Sequence, residues 1–132
     1  MTKNDLYTSL REILKEDEFS NDSVECADLS EDISGGQNVA CAIVRSNNIQ
    51  SLVNAVTFAA ENGYNVIPRG SGHSYSGGVI PINDHSIIFD LTNLNRILEV
   101  DIKNRYIRVE SGCTWLQLSN ELSKHKMRTP FF

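Results

Sequence analysis

The chain has 132 residues, 40% of them hydrophobic, with a net charge of −5 at pH 7. Those figures fit one domain with a real core and argue against a nucleic-acid partner, which favours a basic face. No apolar run approaches the ~20 residues a membrane-spanning helix needs. The first residues, Met1-Thr2-Lys3-Asn4-Asp5, carry no apolar signal core, so no secretion signal is expected. Cys26, Cys41 and Cys113 make an odd count without a CxxC pair, which points to reduced thiols and a cytoplasmic setting.

Leu6, Leu10, Ile13 and Leu14 recur at helical spacing, so a helix is expected over residues 5–17. Residues 20–38 are rich in Asn, Asp, Ser and Gly and read as a loop or linker. The chain therefore divides into an N-terminal helix and linker over 1–38 and a main domain over 39–132. Residues 40–44 form a short apolar run, a buried strand with Cys41 as a small buried hydrophobe. Asn47 and Asn48 can cap a following helix, with Gln50 placed to cap back to Asn47. Leu52, Val53, Val56, Ala59 and Ala60 would make its apolar face, and Asn62-Gly63 would end it. Val66-Ile67 reads as a second strand broken by Pro68. Strand, helix, strand favours a right-handed parallel crossover.

Further strands are expected at 86–91, around Leu98 and Val100, and around Ile107 and Val109, with the last two forming a hairpin through Lys103-Asn104. Gly112 reads as a turn. Thr114 with Gln117 reads as a capping box opening a helix over 115–125, with Trp115 packed in the core or stapling that helix rather than touching a ligand. His85 and His125 read as solvated. The closing Pro130-Phe131-Phe132 suggests a sequence that stops inside a larger fold.

The distinctive segment is Pro68-Arg69-Gly70-Ser71-Gly72-His73-Ser74-Tyr75-Ser76-Gly77-Gly78, which holds four of the eight glycines. Glycine lets the backbone reach φ > 0 and approach a ligand closely, and successive N–H groups can converge on an anion. Ser71, Ser74 and Ser76 add hydroxyls and Arg69 adds positive charge, an inventory suited to a diphosphate. No Lys follows the glycines, so a Walker loop is excluded, and Tyr75 stands where a Rossmann fingerprint needs its third glycine. On the residues alone, a flexible surface loop stays open beside the anion-binding loop.

Several segments in order add to this: residues 42–46 before the helix that Asn47 and Asn48 cap; Gly63-Tyr64-Asn65-Val66-Ile67-Pro68-Arg69-Gly70-Ser71-Gly72-His73-Ser74; Ile88-Phe89-Asp90-Leu91-Thr92-Asn93-Leu94-Asn95-Arg96-Ile97; and Val109-Glu110-Ser111-Gly112-Cys113-Thr114-Trp115. Together they resemble the FAD-binding domain of the vanillyl-alcohol oxidase/p-cresol methylhydroxylase (PCMH-type) flavoproteins. The resemblance implies an α+β fold, with the first α/β subdomain and the start of the second. It implies that backbone N–H groups of Arg69, Gly70, Ser71, Gly72, His73 and Ser74 bind the FAD diphosphate, with Ser76, Gly77 and Gly78 at the loop's far edge. His73 has two open roles: covalent attachment to the flavin 8α carbon, as in some family members, or a backbone donor only. Cys113 does not match the second attachment cysteine of some members.

The implied function is part of a flavin-dependent oxidoreductase acting on an alcohol, 2-hydroxy acid, sugar or related small molecule. The substrate domain and its catalytic residues would lie outside these 132 residues, and no metal site is expected. A non-catalytic nucleotide- or phosphate-binding module, or an inactive truncated chain, is the alternative.

Overall fold

The computed structural model describes residues 2–130. The terminal pair Phe131-Phe132, on which the expectation of a larger fold partly rested, lies outside the described residues. In chain order the elements are helix α1 (Lys3–Ile13), a 3-10 turn (Glu16–Glu18), strand β1 (Phe19–Ser20), helix α2 (Ser23–Leu29), β2 (Ala42–Val44), α3 (Ile49–Glu61), β3 (Asn65–Arg69), β4 (Ser86–Asp90), β5 (Ile97–Asp101), β6 (Tyr106–Val109) and α4 (Trp115–Lys124).

Four strands form the main sheet in the order β1-β2-β4-β3. Strands β2 and β3 both run parallel to β4, and β1 pairs antiparallel with β2. The expected crossover from β2 through α3 to β3 is present, but β4 inserts between the two strands. Because β2 and β4 are covered on both faces, every one of their residues is buried. Alternation splits their side chains between two cores. Ala42, Val44, Ile87 and Phe89 meet α1 and α3 through Leu6, Leu10, Ala55 and Ala59. Ile43 and Ile88 meet Ile67, Cys26 and Leu29 on the opposite face, where α2 lies. Strands β5 and β6 form a separate antiparallel hairpin with a register irregularity between Ile97 and Glu99.

Several local expectations need correction. Residues 20–38 are not a plain loop: they hold the end of β1 and all of α2. The helix is short and exposes most of its polar residues, but outside contacts fix it. Asp22 caps it by accepting from the N–H groups of Val24 and Glu25, Arg45 pairs with Glu25 at 2.8 Å, and Ser30 Oγ accepts from the Ala40 N–H. Helix α1 stops at Ile13 rather than near 17, and the buried Glu18 then ties this segment to the turn before α3 by accepting from the Asn47 N–H at 2.6 Å.

The cap of α3 is Asn48, which accepts from the Ser51 N–H, while Gln50 bonds Asn54 instead of capping backwards. The buried face of α3 uses Ala55 and Ala59, with Val53 and Ala60 exposed. Pro68 does not break β3 but sits inside it. Asn65 donates to His85 on the β4 side, and alternation turns the backbone nitrogen of Pro68 to the open edge, where no donor is needed. Gly63 ends α3 with φ +75°, as expected of a helix-stop glycine.

Candidate functional site

The glycine-rich segment leaves the C-terminal end of β3, beside the C-terminal end of β4. The Arg69 C=O still accepts from the Leu91 N–H at 2.9 Å, and the loop departs immediately after it. A cleft of about 400 Å³ opens there, walled on one side by Gly70 and Ser71, floored by Thr92 and Asn95, and closed by residues 111–115 and Gln117. Beyond the carboxyl ends of parallel strands is where open α/β sheets bind ligands.

The loop's two halves differ in how their amides are used. Among the described residues none accepts from the backbone N–H of Gly70, Ser71, Gly72 or His73. Gly72 has φ +74°, which bends this run of four donors. The second half is internally committed: the Ser74 N–H donates to Gly72 C=O, the Ser76 N–H to Ser74 Oγ, and the Gly77 N–H to Asp32 Oδ2 at 3.0 Å. Arg69 directs its guanidinium to the Glu31 C=O at 2.7 Å. A Cβ on Gly72 would land on that guanidinium, whereas a Cβ on Gly70 would meet nothing within 4 Å. His73 is exposed, edge-on to Tyr75 with ring centroids 6.4 Å apart. Gly78 lies exposed at the far edge.

The opposite wall is more tightly built. Glu110, only 7% exposed, receives the Arg96 N–H at 2.8 Å and the Arg96 guanidinium at 2.6 and 3.0 Å. The Arg96 side chain first, then its backbone N–H, holds the Glu110 carboxyl below the usual range. This clamp fixes the end of β6 just before the turn. Gly112 then packs where a Cβ would collide with the carbonyls of Leu91 and Leu94, and its N–H donates to Leu94 C=O at 2.8 Å. The turn reading of Gly112 holds, with this close backbone contact as its cause. Thr114 and Gln117 form the expected capping box. Trp115 is not core: it is 65% exposed and lines the cleft. Cys113 lines the cleft as well.

Asp90 joins the walls to the sheet. It accepts from the Thr92 N–H and hydroxyl through Oδ1 and from Arg45 Nε through Oδ2 at 2.6 Å. Burial pushes its pKa up, but the Thr92 hydroxyl and the Arg45 guanidinium outweigh that and lower it. Sequence reading passed over Asp90, Arg45, Arg96 and Glu110. The one available signal was a carboxylate closing the apolar run Ile87-Ile88-Phe89. His85 is exposed and stacks on Tyr64 at 4.0 Å, away from the cleft, and His125 caps α4. All three cysteines are free thiols, and burial pushes Cys26 up to about 11. Among the described residues no His, Cys, Asp and Glu side chains gather as a metal-ligand set, and no helix is long and apolar enough to cross a membrane.

Gly70 and Ser71 line the cleft, and with Gly72 and His73 they leave four consecutive amides without an acceptor among the described residues, a donor set that an anion can take up. Comparison with known proteins points the same way. The family model described as "FAD binding domain" matches residues 40–132. L-gulono-1,4-lactone dehydrogenase of Mycobacterium tuberculosis is 33% identical over 86 residues, covering 65% of this chain and 19% of that protein. Glycolate oxidase subunit GlcD of Bacillus subtilis is 27% identical over 82 residues, 62% of this chain and 17% of its own length. The chain thus spans about a fifth of these curated relatives. Among solved structures, p-cresol methylhydroxylase with substrate bound superposes with a TM-score of 0.78 at 19% identity, covering 93% of this chain and 25% of that one.

Proposed function

The chain belongs to the FAD-binding domain family, with the PCMH-type fold and FAD as the family's cofactor, and on that premise we propose that residues 70–73 hold the FAD diphosphate. The observation that carries this is the run of four N–H groups at residues 70–73 with no acceptor among the described residues, the first two of which line the cleft. A diphosphate supplies the acceptors such a run lacks, and charge-assisted bonds of this kind are about twice as strong as neutral ones. Ser71 adds a hydroxyl. Arg69 contributes positive charge beneath Gly72, and Ser74, Ser76, Gly77 and Gly78 frame the loop. The exposed indole of Trp115 gives the rest of the dinucleotide an apolar wall.

The protein is, in this reading, the FAD-binding part, over residues 39–132, of an oxidoreductase acting on an alcohol, 2-hydroxy acid, sugar or related substrate. Bound FAD supplies the two-electron redox chemistry, and the protein supplies binding and orientation. The Arg96–Glu110 clamp fixes one wall of the cleft and Asp90 ties its floor residue Thr92 to Arg45, so the dinucleotide enters a site already formed. Substrate contacts and catalytic groups belong to a further domain, and the reduced thiols favour the cytoplasm.

His73 is exposed at the edge of the loop, free to meet the flavin ring, and we assign it the covalent 8α link. The test starts with absorbance: protein incubated with FAD and desalted should show bands near ~370 and ~450 nm. A colourless protein that leaves FAD free in dialysis would overturn the FAD reading. In protein carrying the whole FAD fold, acid precipitation should leave flavin attached, and His73→Ala should release it while retaining non-covalent binding through the amides. Complete release from the unsubstituted protein would leave His73 as a backbone donor only.

A further inference from the structure

The segment before β2 touches the connection from β3 to β4, glycine loop included, at four places. Arg69 Nη1 donates to the Glu31 C=O at 2.7 Å at the loop's start. In its middle the Ile33 N–H donates to the Ser74 C=O at 3.2 Å and the Gly77 N–H to Asp32 Oδ2 at 3.0 Å. At its end the Asn38 side-chain amide donates to the carbonyls of Pro81 and Ile82 at 3.2 and 3.0 Å.

Asp32 is the side chain at the centre of this seam. Its Oδ1 accepts from both the N–H and the hydroxyl of Ser34, which closes its own turn and aims Oδ2 at Gly77. Gly77 has φ +71°, so this N–H direction depends on a backbone state that only glycine adopts readily. An exposed loop with four unpaired amides pays a large ordering entropy on binding unless something fixes it beforehand.

We infer that Asp32 is a positioning residue for the diphosphate loop, holding its second half by the Gly77 N–H so that residues 70–73 present their amides together. This rests on the FAD reading above. It also assigns the Gly77 N–H to the brace and removes it from the diphosphate donors. The carboxylate adds a negative charge near an anion site, so a brace and a mere neighbour have opposite consequences. Removing a brace weakens binding, whereas removing a repelling neighbour strengthens it.

The test compares Asp32→Ala and Asp32→Asn with the unsubstituted chain by FAD titration and by amide hydrogen exchange at Gly77. For Asp32→Ala the expected result is FAD affinity reduced at least ~10-fold and Gly77 exchange accelerated by a similar factor. Circular dichroism and melting should stay close to the original. Asp32→Asn keeps one acceptor oxygen and should fall between the two. Unchanged or tighter FAD binding by Asp32→Ala overturns the assignment. If Asp32→Ala fails to fold, Asp32→Ser, whose side chain is one atom shorter than the carboxylate arm, decides: unchanged or tighter FAD binding overturns it. Failure of the FAD reading has a different signature, since the unsubstituted chain would then bind no FAD while Gly77 exchange still responds to Asp32.

Discussion

Two glycine-bearing turns face each other across the cleft, and they use glycine for opposite reasons. On the β3 side, among the described residues, Gly70 has no neighbour within 4 Å of an added Cβ and the amides from 70 to 73 have no acceptor. On the β6 side, Gly112 is pressed against the carbonyls of Leu91 and Leu94 and its N–H is bonded. One turn keeps side chains away so that something else can approach; the other lets two pieces of the same chain close. Glycine density in a sequence does not separate the two uses, but the neighbouring atoms do.

The largest expected effect follows from the packed turn. Gly112→Ala places a methyl on backbone carbonyls that cannot swing aside, so it should destabilise the fold by about 3 kcal/mol, at the upper end for overpacking. Urea denaturation measures this, and a change below about 0.5 kcal/mol would erase the contrast between the turns. Next comes Gly72→Val, where a β-branched residue must take φ +74° and displace the Arg69 guanidinium. FAD affinity should fall at least ~10-fold, or ~1.4 kcal/mol, with the far-ultraviolet dichroism retained because the strain is confined to a loop. Equal affinity in the two proteins would place the diphosphate elsewhere.

A smaller effect concerns the floor shared by both walls. The folded Asp90 carboxyl titrates below its ordinary 3.8, so the stability it contributes is present above that value. That contribution is lost as pH falls through the lower folded pKa. Melting temperature should therefore drop more steeply below pH 4 in the original chain than in Asp90→Asn, and parallel curves would remove Asp90 from the account. The smallest effect belongs to Gly70→Ala. Its Cβ enters open space, so stability should change by less than about 1 kcal/mol, and a large loss would mean that this turn is packed after all.

The regular parts of the fold were legible because they obey local rules. The run at 40–44 is apolar on both faces because helices cover both sides of β2. Thr114 and Gln117 cap α4 as their spacing requires. Helix α2 was missed because its stability is tertiary: Cys26 is its one buried residue, and the fixing contacts come from Arg45 and Ala40, far along the chain. Trp115 was misread because a lone large aromatic usually fills a core, whereas here it faces the cleft. The glycine loop could be located from composition alone. Its brace could not, since Asp32 resembles any turn aspartate until Gly77, 45 residues away, is seen beside it.

Pro68 has one more consequence. Strand β3 forms an outer edge of the main sheet, and an unprotected edge invites an extended segment of another molecule to add on. An incoming strand needs the outward-facing donors of this edge in unbroken series. Proline removes one of them at the fourth residue of a five-residue strand, so intermolecular sheet growth along β3 is interrupted just before the loop begins. The residue that leads into the glycine loop thereby also leaves this edge one donor short for an added strand.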